Sequence, residues 1–315
     1  MGLHSKKLIS ARAGKTKKID DSRGSMVEHP SIIGRICDCA IALVLALVAY
    51  ICVIPLWHVL MSSLSDGKEL MGYSGVAYLP VGGNVNWGGY RILFQDSSIL
   101  IGYANTLLYV VGATLLGVVI NVVGGYILSR ESKLRSPMTL FIIFTTMFNG
   151  GMIPTYMVIR QLGMTGSRLS LIIPGCTNAM FMLLVMNAFA SVDKAYYDAA
   201  AIDGAGHLSV IFRVILPQAK GMVLVTAINS AVMKWNSWFE ASIYVPTDRD
   251  KWPLQLWVKQ LTSEGLNFLK VQNPDYNKYL IQYAAIIIST LPILLALPFF
   301  IGKLEKGMVL GGVKG

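Results

Sequence analysis

Six stretches of this 315-residue chain are long and apolar enough to cross a lipid bilayer, and this decides most of what it can fold into. A spanning helix takes about 20 mainly apolar residues. Residues 39–65, 97–129, 136–159, 169–192 and 279–302 contain no Asp, Glu, Lys or Arg, and 221–245 is interrupted only by Lys234 and Glu240. Within hydrocarbon a segment must satisfy its own backbone polar groups, which leaves helices for apolar runs of this length. Soluble domains carry roughly a quarter charged residues, whereas here the charged share is 14% and the hydrophobic share 54%. The expectation is an all-α integral membrane protein with six transmembrane helices. It comprises a basic tail over residues 1–34 and a membrane domain over 35–315.

The polar, basic tail is followed by a span much longer than the apolar region of a secretory signal, so that span is expected to stay as an anchor. Segments between the spans fall alternately on two sides. One side (the chain ahead of the first span, 1–38, with 130–135, 193–220 and the carboxyl end) holds 17 Lys and Arg; the other (66–96, 160–168 and 246–278) holds 9. Positive loops stay in the cytoplasm. The protein is therefore expected in the cell membrane, multi-pass, with both termini cytoplasmic. The net charge of +10 reads as topology and attraction to anionic lipid. Nucleic-acid binding is disfavoured, because no aromatic-basic module accompanies the charge. Cys37, Cys39, Cys52 and Cys176 lie in or beside apolar spans and have neither zinc-type spacing nor a disulfide framework.

The segment at 190–220 is expected on the cytoplasmic side, and it is too patterned for a mere connector. Ser191 or Asp193 offers an oxygen to the free N–H groups of a helix start. Residues 194–202 contain four alanines and no helix breaker, and Asp203 with Gly204 is a turn signal. After Gly206 a second helix is expected, with Leu208, Ile211, Phe212 and Ile215 at i, i+3, i+4, i+7 on one face. Pro217 should end that helix or start the next span.

These residues resemble the "EAA" loop of ABC importer permeases, which reads E-A-A-x-x-D-G, a spacer, then I-x-L-P. Here the match is Asp198, Ala199, Ala200, Ile202, Asp203, Gly204, Ala205 and Gly206, followed by Ile215, Leu216 and Pro217. "MFNGGMIPTYMVIRQLGM" (147–164), "WNSWFEASIY" (235–244), "WPLQL" (252–256) and the terminal "GMVLGGVKG" are similar to the maltose-type carbohydrate permeases, in particular the subgroup serving polysaccharide-derived oligosaccharides. Asp198 replaces the usual Glu and Gly221 stands where a proline is common.

The resemblance implies the type I ABC importer permease fold. The loop would be a coupling helix seated in a separate ATPase subunit. The expected partners are a second homologous permease, two ATP-binding cassette subunits, an extracellular solute-binding protein, membrane lipid and an oligosaccharide. ATP and Mg would belong to the ATPase subunits, with no cofactor or metal on this chain and no catalytic residues. Gly14, Lys15 and Thr16 imitate the end of a phosphate loop, but position 9 is Ile9 where glycine is needed.

Polar groups inside a membrane usually face the bundle interior or a cavity. Asn105, Asn121, Asn149, Asn178, Asn187, Asn229 and Asn236 are such groups, with Lys234 and Glu240. Sugars present C–H faces and hydroxyls, which aromatic rings and amides match. The candidate path residues are thus Asn149, Asn178, Asn187, Lys234, Trp235, Asn236, Trp238 and Glu240. Trp belts at the interface and helix-joining asparagines are the structural alternatives. Lys234 and Glu240 are candidates for an ion pair at an outer gate. Ala113, Gly117, Asn121 and Gly124 form a small-residue face for close helix contact.

In the outer loop 246–278, Pro253 can start a helix with Leu254, Trp257, Val258 and Leu261 on one face. That helix would either lie on the bilayer or, by the resemblance, meet the binding protein. The alternative function is a stand-alone secondary transporter or channel for small polar solutes. An ion-coupled carrier would usually hold several intramembrane carboxylates, and here the spans offer Glu240 and, at an edge, Asp38.

Overall fold

A computed structural model of the chain describes residues 32–148, 150–264 and 278–312, and the described residues are helical with no strand. Asn149, the tail to residue 31 and much of the outer loop lie outside them. The chain divides into two compact units, Met1–Pro55 and Leu56–Gly315. In the first, the described residues belong to helix α1 (Ile32–Ser63), and side chains such as Ile41, Leu45 and Val48 are exposed. Residues 39–63 of this helix carry no charged side chain, and an apolar run of that length reads as a membrane span.

The second unit is built around α4 (Ser97–Ser129), which follows α2 (Gly67–Gly72) and α3 (Gly88–Gln95). Asp96 caps α4 by accepting the Ser98 N–H at 2.8 Å. Next come α5 (Arg135–Met147) and α6 (Met152–Gln161), bent by 113° relative to each other. Then follow α7 (Leu169–Ile172), α8 (Ala179–Ala190), α9 (Lys194–Ile202) and α10 (His207–Ser209). A π-helical turn over Val210–Ile215 leads into α11 (Leu216–Trp235). The chain ends with α12 (Phe239–Tyr244), α13 (Leu254–Glu264) and α14 (Lys278–Gly312).

Among the described residues four helical rods meet the length and apolarity of a span: Gly34–Ser63, Ser97–Ser129, His207–Trp235 and Lys278–Gly302. The bent α5–α6 pair is a fifth when its two helices count as one span. The run expected as one span over 169–192 is broken between α7 and α8, where Pro174 cannot donate and Gly175 takes φ +70°. Alone, α8 is about 18 Å long at 1.5 Å per residue, short of the roughly 30 Å of hydrocarbon. Six passes result only when the bent pair and this broken stretch each count as one.

Helices α8, α11 and α13 pack against α4. The small-residue face on α4 is what admits them. Ala113, Gly117 and Asn121 are buried, and a Cβ on Gly117 would lie 2.0 Å from the Cys176 carbonyl oxygen. Two apolar cores result. One gathers Trp235, Tyr244, Trp252, Trp257, Leu261 and Ala284. The other joins Val122 and Phe189 to Ala200, Val210, Ile211 and Ile215 of the 194–217 hairpin.

Candidate functional site

The hairpin is built as its sequence dictates up to Gly206. Asp193 accepts the Ala195 N–H at 2.9 Å and starts α9; Ser191 does not cap it. Asp203 closes the helix, and Gly204 takes φ +67° with open space around its Cα. The Ala205 N–H then returns to the Ala200 carbonyl at 2.9 Å.

Beyond this point the expected apolar stripe is split. Ile211 and Ile215 are buried, but Leu208 is 68% and Phe212 50% exposed. The cause is the π turn, which changes the angular register so that Val210, Ile211, Ile215 and Ala219 face the core instead. The turn lies just before Pro217, whose missing N–H and ring disfavour an ordinary α turn. Pro217 therefore begins α11 within a continuous rod rather than breaking it.

One face of the hairpin is thus tied down and the other is bare. Ala200 is buried in the core, with Ala205 and Leu216 packed against it. Asp198, Ala199, Asp203, Gly204, Gly206 and Pro217 are exposed, and Ile202 is 86% exposed. Four residues clasp the hairpin to the end of α4. The Arg130 guanidinium lies 4.6 Å from the Tyr197 ring centroid and 5.9 Å from that of Tyr126. The Tyr126 hydroxyl pairs with His207 Nδ1 at 3.2 Å, and Tyr197 donates to the Phe189 carbonyl at 3.1 Å. Burial pushes the Tyr197 phenol up, against the Ser129 hydrogen bond and the Arg130 charge that favour its ionised form. Outside the clasp, Lys194 Nζ meets Glu131 Oε1 at 2.6 Å. That hydrogen bond and charge hold the Glu131 carboxyl below its ordinary range.

Among the path candidates the structure brings three together. Asn178, Lys234 and Glu240 line one cavity of about 260 Å³, with Thr114, Ser230 and Ser237. Lys234 Nζ meets Glu240 Oε2 at 2.7 Å, and Ser237 Oγ approaches the same oxygen at 3.3 Å. Asn178 caps α8 by accepting the Met180 N–H at 2.8 Å.

These features now meet known proteins. Residues 122–310 match the family described as the inner membrane component of binding-protein-dependent transport systems. The chain belongs to this family. It is a transport permease subunit rather than a catalytic one, a multi-pass protein of the cell membrane. The permease is 29% identical to the polygalacturonan/rhamnogalacturonan transport system permease protein YtcP of Bacillus subtilis (strain 168), over 89% of this chain and 99% of that protein. It is 30% identical to Protein LplC of the same strain, over 91% and 98%. The crystal structure of a bacterial ABC transporter involved in the import of the acidic polysaccharide alginate superposes with a TM-score of 0.77. That match is at 27% identity and covers 85% of this chain and 96% of the other. The fold is that of a type I ABC importer permease, and the family speaks against a carrier that works alone.

The remaining candidates do other work in this permease. Trp235 is buried in the first core and donates to the Ser289 carbonyl at 3.1 Å. Trp238 packs edge-on against Phe239, and the Lys259 ammonium lies 5.6 Å from its ring centroid. Asn187 and Asn236 are exposed away from the cavity lining, and the Asn236 amide donates to the Val232 carbonyl at 2.9 Å. Asn105 donates to the carbonyls of Asp250 and Trp252, which fixes the outer loop to α4. Asn121 accepts from Thr177 and stitches α4 to the α7–α8 break.

Sequence reasoning missed Ser230, Ser237 and Thr114 in the cavity, and the clasp of Tyr126, Arg130, Tyr197 and His207. Ser230 was findable: it precedes Lys234 by four residues and shares its face of α11. The clasp joins residues distant in sequence and left no local pattern.

Proposed function

We propose that this chain is the translocating subunit of an ATP-driven, binding-protein-dependent importer of oligosaccharides. It works beside a second permease, with ATP hydrolysed on two partner subunits and sugar delivered by an extracellular binding protein. Both termini and the 194–217 hairpin are cytoplasmic, and the hairpin is the element on which the ATPase pulls. The sugar passes by the cavity at Lys234 and Glu240, whose ion pair is an outer gate. The resemblance to a polygalacturonan/rhamnogalacturonan permease and to an alginate importer supports a polysaccharide-derived substrate.

The observation that carries this reading is the two-faced hairpin. A coupling element must be stiff on the side that transmits force and apolar on the side that docks. The clasp and the core supply the first. Ile202, Leu208 and Phe212, exposed on the hairpin, supply the second.

The test is purification in detergent followed by reconstitution. Recovery of a second permease and an ATPase, with hydrolysis stimulated by binding protein and sugar, is expected. Gly204→Asp and Leu208→Asp should insert normally and lose that stimulation. Uptake by this chain alone, driven by an ion gradient, would refute the reading.

A further inference from the structure

We infer that the cavity beside α11 recognises the carboxylate of an acidic sugar, and that Lys234 reads it by being handed over from Glu240. The inference rests on the reading of this chain as an oligosaccharide permease and names the class of sugar.

The lysine is the central observation. Its side chain is only 9% exposed, yet it lines a cavity in a segment otherwise made for lipid. An ammonium brings three donors, and Glu240 occupies one of them at 2.7 Å. The two partners are unequal, because the Glu240 side chain is 35% exposed. Glu240 therefore has more room to move away from the pair than the lysine does. Ser237 stands ready to hold it from the side.

The handover follows from charge balance. A buried ammonium stripped of its counter-charge is strongly unfavourable, but exchanging one carboxylate for another keeps it paired. A neutral sugar offers no such exchange and leaves the Lys234–Glu240 pair intact. A uronate ring offers it, through a charge-assisted hydrogen bond stronger than any hydroxyl makes.

The rest of the wall suits a sugar ring. Thr114 Oγ1 is buried with no hydrogen-bond partner among the described residues. Ser230 and Asn178 add polar groups and Phe181 an aromatic face. At about 260 Å³ the cavity falls below the usual 300–1,000 Å³ of drug-sized ligand sites. It takes one ring of a chain at a time.

The sign of two substitutions separates recognition from a structural ion pair. Digalacturonate and its neutral methyl ester are titrated by calorimetry onto the full chain, purified with the subunits that accompany it. The free acid should bind on the order of tenfold more tightly than the ester, as expected for a hydrogen bond to a charged group. Lys234→Gln should abolish that preference. Glu240→Gln removes the competing carboxylate and should increase it several-fold.

A structural pair predicts instead that both variants weaken binding of acid and ester alike, and this result would overturn the inference. Equal binding of acid and ester to the wild type would overturn it too, as would no binding of either. ATP-driven uptake of labelled oligosaccharides, acidic and neutral, by vesicles holding the reconstituted complex then decides separately whether the importer reading stands.

Discussion

The hairpin at 194–217 and the outer helix α13 begin from the same kind of sequence and end in opposite environments. Each carries four apolar residues at i, i+3, i+4, i+7 beside a proline. In α13 all four are buried: Leu254, Trp257, Val258 and Leu261 lie in the first core, against α4 and α14. The alternative of a helix lying on the bilayer is therefore replaced by one packed into protein. Gly102 permits the contact, since a Cβ there would come 3.0 Å from the Trp257 ring and 3.2 Å from the Leu254 Cα. In the hairpin the π turn divides the four, two inward and two outward. A regular stripe marks an element the protein covers itself. A stripe cut by an irregular turn leaves part of its apolar surface for something else.

The comparison breaks most easily at α13. Trp257→Ala should destabilise the protein by about 3–5 kcal/mol through lost contacts and the cavity left behind. Thermal unfolding in detergent would measure this, and a shift no larger than that of a surface variant would mean the helix is not part of the core. Gly204→Ala should have the next largest effect on stability. A left-handed conformation costs a residue with a Cβ about 1–2 kcal/mol, and no neighbour obstructs it. Phe212→Asp should come next, within about 0.5 kcal/mol of wild type, because its ring is already exposed. Its effect should fall on sugar-stimulated ATP hydrolysis by the assembled transporter. A Phe212→Asp protein that unfolds early, or that hydrolyses normally, would remove the distinction between the two regions.

The sequence reveals the elements of both regions, but only one of the two burial patterns. Helix α9 was legible but for the choice between Ser191 and Asp193 as its cap, since the alanine run and Gly204 are local signals. So was the face of α13, whose spacing stays regular along its length. The π turn was not legible, because it arises where Pro217 meets a rod that tertiary packing keeps continuous. The broken 169–190 stretch escaped for a related reason: composition marks it as apolar throughout, and the break depends on Gly175 and the approach of α4. In the site, Lys234 and Glu240 stood out as charges in an oily segment. Trp235 misled because burial in a core and display to a sugar leave the same mark in one sequence.

The weakest contact sharpens the comparison further, because it separates the fastening of the hairpin from its burial. Lys194 and Glu131 are about three-quarters exposed, so their pairing is largely screened by water and salt. Glu131 is nonetheless held below its ordinary pKa of 4.5 by the Lys194 hydrogen bond and charge. A carboxyl whose folded pKa is depressed contributes stability that is present above the unfolded value and lost as pH falls through the folded one. Glu131→Gln should therefore lower the unfolding temperature slightly at neutral pH and low salt. The difference should fade below pH 4.5 and fade also in high salt at neutral pH. If it persists under both conditions, Glu131 acts through packing rather than charge. The hairpin would then be held by its buried residues alone, as α13 is, and the contrast between the regions would reduce to which side chains face outward.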